Sequence, residues 1–117
     1  ALSMPKKLSP IHFDLTGDHI LIDKNKLAGI IDFGDSAIGD PASDFAWLWT
    51  YEEKFVHNVY DNYKGKRDKN LLHRSKLHYF ATLLSSLYHG VKDGKKQQVK
   101  ITLKTIRRIM ESRFLNM

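Results

Sequence analysis

The sequence predicts an α+β chain, mostly helical, in which one β-hairpin sits between two carboxylate-rich loops and only helices follow. Three observations carry this. "HILID" (19–23) and "LAGIID" (27–32) are short, β-branched and separated by "KNK", the pattern of a tight two-strand hairpin. From Asp40 onward, apolar residues recur every three or four positions, the helical period. Finally, seven of the 13 acidic residues fall between Asp14 and Asp44, crowded around that hairpin in segments that read as loops.

With 117 residues, 42% of them hydrophobic, the chain is sized for one domain. The expected organisation is a lead-in over 1–10, two loops around the hairpin over 11–46, and a helical part over 47–117. No apolar run approaches the roughly 18 residues of a membrane helix. "ALSMPKKLSP" lacks the apolar core of a secretory signal. The absence of cysteine excludes disulfides, thiolate metal sites and thiol nucleophiles. These features fit a cytoplasmic protein with no membrane association.

Each element follows in order. Two prolines and two lysines make 1–10 extended. After the hairpin, Asp40 suits a helix N-cap and Pro41 the first helical position, followed by Phe45, Ala46, Leu48 and Trp49. "YEEKFVHNVYDNY" continues as a helix with Phe55, Val56, Val59, Tyr60 and Tyr63 on one face, and "KGKRDKN" breaks the pattern. A long helix from Leu71 places Leu72, Tyr79, Phe80, Leu83, Leu87 and Val91 inward and ends near "KDGKK". The last helix is expected to turn Val99, Leu103, Ile106, Met110 and Phe114 inward and Lys100, Lys104, Arg107 and Arg108 outward. Trp47, Trp49, Phe55 and Tyr60 read as core. His57, His73, His78 and His89 lack metal-binding spacing and read as ordinary helix residues.

The net charge of +6 hides an asymmetry. Residues 1–63 hold 5 Lys and Arg against 10 Asp and Glu, a balance of −5, while residues 64–117 hold 14 against 3, a balance of +11. The basic half reads as solvated helix faces. The sharper alternative is a surface for nucleotide phosphates, nucleic acid or an acidic partner. Nucleic acid is disfavoured, because no aromatics interleave the basic runs and no recognised motif appears.

The two loop phrases, "HFDLTGDH" (12–19) and "IIDFGDSAIGDP" (30–41), carry the chemistry. Phosphoryl transfer needs a carboxylate to take or orient a hydroxyl proton, and ligands for a divalent metal that neutralises phosphate oxygens. "HxD", a ligand five residues after its Asp, a hairpin and then "DFG" supply these in order. Asp14 is the expected base, with His19 and Asp32 as metal ligands. Asp18 and Asp35 read as solvated loop acids, and His12 as a packed histidine bonded to loop backbone.

"HFDLTGDHILID" together with "GIIDFGDSAIGDPASDFA" resembles the catalytic and metal loops of aminoglycoside phosphotransferases, which share the protein-kinase-like fold. The family usually has Asn where this chain has His19, and His there resembles the branch that phosphorylates the 2''-hydroxyl. The resemblance implies a C-terminal catalytic-lobe portion of that fold. It implies Mg2+ on His19 and Asp32, ATP or GTP as co-substrate, and an aminoglycoside-like acceptor. Asp44 would brace the catalytic loop. Glu52 and Glu53 would meet a cationic acceptor, although two first-turn glutamates also suit the helix dipole without any substrate.

A kinase-like enzyme also needs a glycine-rich nucleotide lobe. Only thirteen residues precede Asp14, and none is glycine. The expectation is therefore a single partial domain over 1–117, inactive alone and completed by a separate N-terminal segment. Its exposed apolar faces would drive self-association. A catalytically silent remnant and a basic binding module are the other readings.

Overall fold

In the computed structural model, residues 7–65 and 68–116 are described; the first part of the 1–10 lead-in, and Lys66 and Arg67 of the predicted break, lie outside them. β1 (Ser9–Ile11) pairs antiparallel with β4 (Ala37–Gly39), Pro10 lying opposite Ile38. The lead-in thus ends in a strand, and the exit from the "DFG" loop forms another. Neither is visible in local pattern, because the partners are separated by the whole hairpin and each is three residues long.

The hairpin consists of β2 (Ile20–Asp23) and β3 (Lys26–Ile30). Asp23 pairs with Lys26, so the turn is the two residues Lys24 and Asn25 rather than three. Their φ values of 50° and 63° are both left-handed, as a hairpin turn matching the strand twist requires. His19 belongs to a 3₁₀ turn (Gly17–His19) that precedes the strand. An irregularity between Leu21 and Ile22 offsets the register midway.

Among the described residues four α-helices follow: α1 (Ala42–Phe45), α2 (Glu53–Asn62), α3 (Leu71–Lys92) and α4 (Lys96–Glu111), with a 3₁₀ segment (Ala46–Thr50) after α1. The helix expected from Asp40 is therefore one α-turn that tightens into 3₁₀. Asp40 still caps it, since its Oδ1 accepts the Ala42 N–H at 3.0 Å. α3 stops at Gly94, whose φ of +67° lets the Lys95 N–H return to the Gly90 carbonyl at 2.9 Å.

The core joins α1, the 3₁₀ segment, α2, α3 and α4 around Phe45, Trp49, Val56, Leu71, Tyr79 and Ile106. Four inward assignments are corrected. Phe55 and Val91 are exposed, and on α4 the buried positions are Thr102, Ile106 and Ile109, whereas Leu103 and Met110 face solvent. α4 carries two overlapping apolar stripes, and its contact with α3 selects between them. Val99 fits against Gly90 so closely that a Cβ there would lie 3.0 Å from its Cγ2. Phe114 does reach the core, from beyond the helix end, edge-on to Trp49 at 5.3 Å. Lys76 is buried between these two rings, its Nζ 4.8 Å from each centroid, and burial lowers its pKa.

Candidate functional site

β1 delivers the chain into residues 12–19, and the hairpin returns it to Asp32 beside the same loop. Asp14, His19 and Asp32 converge there, each offering a ligand atom within 4.8 Å of the other two. The cluster opens to solvent, with side-chain exposures of 39% for Asp14, 15% for His19 and 60% for Asp32.

The orientation of His19 follows from its partners. Nδ1 lies 2.7 Å from the Asp14 carbonyl, which can only accept, so Nδ1 carries the hydrogen. Nε2 is left facing Asp32 Oδ2 at 3.2 Å and Asp18 Oδ2 at 3.7 Å. The Asp14 carbonyl raises the His19 pKa; partial desolvation opposes it, and the charges of Asp18, Asp14 and Asp32 add to the rise. Asp18, highly exposed, accepts the Thr16 hydroxyl, and that bond with its own amide lowers its pKa. Asp35 is exposed.

His12 is buried and links the two loops. Its Nδ1 accepts the Asp14 N–H at 3.1 Å, and its Nε2 donates to the Ile31 carbonyl at 2.7 Å. The Ile31 N–H in turn donates to the His19 carbonyl at 2.9 Å. Ile31, the residue ahead of Asp32, is thereby held at both its N–H and its carbonyl. Asp32 itself has φ of +66°, a left-handed conformation costly for a residue with a Cβ and sustained only where its surroundings over-determine it.

Asp44, on α1, accepts the His12 N–H on Oδ2 and the Phe13 N–H on Oδ1, both at 2.9 Å. Phe13 is also left-handed, with φ of +71°. Glu52 and Glu53 open α2, and Glu53 pairs with His57 at 3.5 Å. Tyr51, just before them, lies over the 12–19 loop, its hydroxyl 2.5 Å from where a Cβ on Gly17 would be. Thr50, Tyr51, Glu52 and Phe55 line a shallow recess of about 540 Å³.

Sequence reasoning missed a second cluster. Arg74, buried in α3, joins Asp40 and Asp68, and His78 approaches Asp40 at 3.4 Å. The available signal was an arginine on the inward face of α3 between Leu71 and Ser75. A buried guanidinium there implies carboxylate partners.

Among the described residues no helix is long and apolar enough to cross a membrane. A GDP complex of a point mutant of aminoglycoside 2'-phosphotransferase-IIIa is 30% identical, with a TM-score of 0.74 over 93% of this chain and 38% of that one. The GDP and kanamycin complex of APH(2'')-IIIa is likewise 30% identical, with a TM-score of 0.73 over 87% of this chain and 36% of that one. The gentamicin complex of APH(2'')-IIa, 19% identical over 93% of this chain and 37% of that one, shares the fold with a TM-score of 0.65. The chain thus spans little more than a third of these relatives and has their kinase-like fold over that span. The profile of the phosphotransferase enzyme family, APH, matches residues 1–78, and the chain belongs to that family.

Proposed function

We propose that this chain supplies the acceptor-activating and metal-holding part of a cytoplasmic phosphotransferase, which moves the γ-phosphoryl group of ATP or GTP to a hydroxyl of an aminoglycoside or similar polyamine alcohol. The observation that carries this reading is the convergence of Asp14, His19 and Asp32 from two loops on either side of one hairpin. Relatives 30% identical, whose structures hold GDP and kanamycin, support the substrate classes.

The donor set suits a divalent cation. Two carboxylates supply oxygen, and the Nδ1 hydrogen bond of His19 leaves the Nε2 lone pair free. His19 and Asp32 would hold Mg2+, which when bound neutralises charge on the nucleotide phosphates. Asp14 accepts or orients the proton of the acceptor hydroxyl. His12 and Asp44 keep the Asp14 backbone in place through the loop contacts above. Glu52 and Glu53 receive ammonium groups of the acceptor beside the catalytic loop. The nucleotide grip comes from the part of the family fold that this chain does not span, so the chain alone transfers no phosphate.

The test is a chimera in which this chain replaces the matching portion of APH(2'')-IIIa, assayed for kanamycin phosphorylation. Transfer is expected, and Asp14→Ala should lower kcat by roughly 10² to 10⁴ with the fold intact. Near-normal kcat in that variant would remove Asp14 from the role, and robust turnover by the isolated chain would refute the division of labour.

A further inference from the structure

Arg74 lies on α3, an element that carries none of the residues assigned to the site, and is only 3% exposed. Its guanidinium grips two carboxylates at once. Nε and Nη2 donate to Asp40 at 2.9 and 3.1 Å, and Nη1 and Nη2 donate to Asp68 at 2.8 and 2.9 Å. This needs the planar fork of arginine, since a lysine ammonium cannot make paired bonds to two carboxylates in those directions.

Asp40 is the junction between the end of β4 and the start of α1, where it also caps the Ala42 amide. Both elements lead to the catalytic loop. β4 pairs with β1, which runs directly into His12. α1 carries Asp44, one turn beyond Asp40, with its two oxygens on the His12 and Phe13 amides. Phe13 is left-handed and 60% exposed, so burial of its own side chain does little to impose that conformation. The next residue is Asp14, whose N–H is held by His12.

We propose that Arg74 is a positioning residue for Asp14: by fixing Asp40 and the start of α1, it keeps Asp44 in register with the His12 and Phe13 amides and so sets the direction of Asp14. The functional weight of this rests on reading Asp14 as the acceptor base. The relay itself is a structural claim and is read independently of metal or activity.

The experiment is amide hydrogen exchange by NMR on the full chain, comparing wild type with Arg74→Lys, which retains the charge without the fork. Folding is monitored by near-ultraviolet circular dichroism of Trp49. The amides of His12, Phe13 and Asp14 should exchange at least tenfold faster in the variant, while those of Leu83 and Ile106 stay within about twofold. Should Arg74→Lys fail to fold, Asp40→Asn, which preserves shape and an oxygen for the Ala42 cap, is expected to give the same selective pattern. Unchanged exchange at the three loop amides in a folded variant, or equal acceleration throughout the chain, would overturn the proposal. A parallel Mn2+ titration of wild type and Asp32→Ala reports on the metal reading alone, so a failure of that reading is distinguishable from a failure of the relay.

Discussion

His19 is held by Asp14 through its backbone rather than its carboxylate: Nδ1 lies 2.7 Å from the Asp14 carbonyl and 3.7 Å from Oδ2. The ring is therefore turned so that Nε2 addresses Asp32. Imidazole nitrogen suits Mn2+ better than Mg2+, which favours an all-oxygen shell. His19→Asn offers an amide oxygen instead and should shift preference toward Mg2+ by about tenfold, in the range typical of changes around a metal site. Displacement of Mn2+ by Mg2+, followed by electron paramagnetic resonance, measures this. Superimposable curves would show that His19 does not touch the metal.

Phe13 offers a test of stored backbone strain. Its left-handed φ of +71° is unfavourable for a side chain that is mostly exposed. Phe13→Gly should relieve roughly 1 kcal/mol or more of that strain, partly offset by the freer unfolded chain, for a net stabilisation of a few tenths to about 1 kcal/mol. A raised Tm in thermal denaturation is the expected result. A clear fall would mean that the Phe13 ring contributes contacts outweighing the conformation.

Acid should unfold the chain partly through Asp40. Burial pushes its carboxyl pKa upward, but hydrogen bonds from Arg74 and the Ala42 amide outweigh it, and the net position is below the ordinary 3.8. A carboxylate depressed in the folded state stabilises fully above its ordinary value, and that stability is lost as pH falls through the folded one. Arg74→Met takes the guanidinium away from Asp40 and Asp68, and removing one partner of a buried pair costs about 3–5 kcal/mol at neutral pH. Denaturant titrations should show the gap between wild type and Arg74→Met narrowing below about pH 4 as Asp40 protonates. A gap that stays constant between pH 7 and pH 3 would contradict this account.

Self-association is expected along α3. Leu84, Tyr88 and Val91, spaced by four and three residues, are 49%, 62% and 64% exposed, and with Leu87 and, at its edge, Lys92 they line a recess of about 480 Å³. Residues 77–91 contain no Lys, Arg, Asp or Glu, although they lie in the half with a balance of +11. Two copies meeting antiparallel on this face bury apolar surface with their Lys92 charges at opposite ends of the contact, and a second copy is the occupant we predict. Sedimentation should show a concentration-dependent dimer that Leu84→Glu abolishes; a strictly monomeric chain at high concentration would exclude it.

The convergence of Asp14, His19 and Asp32 was legible in the sequence because these residues are carried by local phrases. "HFDLTGDH" and "IIDFGDSAIGDP" announce their carboxylates by spacing, and the short β-branched runs between them imply a hairpin that returns the chain to its starting point. That geometry is short-range: strands joined by two residues have few alternative pairings. The tertiary structure decided what depends on distant partners. It paired Ser9–Ile11 with Ala37–Gly39, chose Thr102, Ile106 and Ile109 over the competing stripe on α4, and placed Arg74 on Asp40. The physical reason is common to all three. A three-residue strand, a helix with two apolar stripes and a buried arginine are each indeterminate alone, and each acquires its position only from a complementary surface that the folded chain brings from far along the sequence.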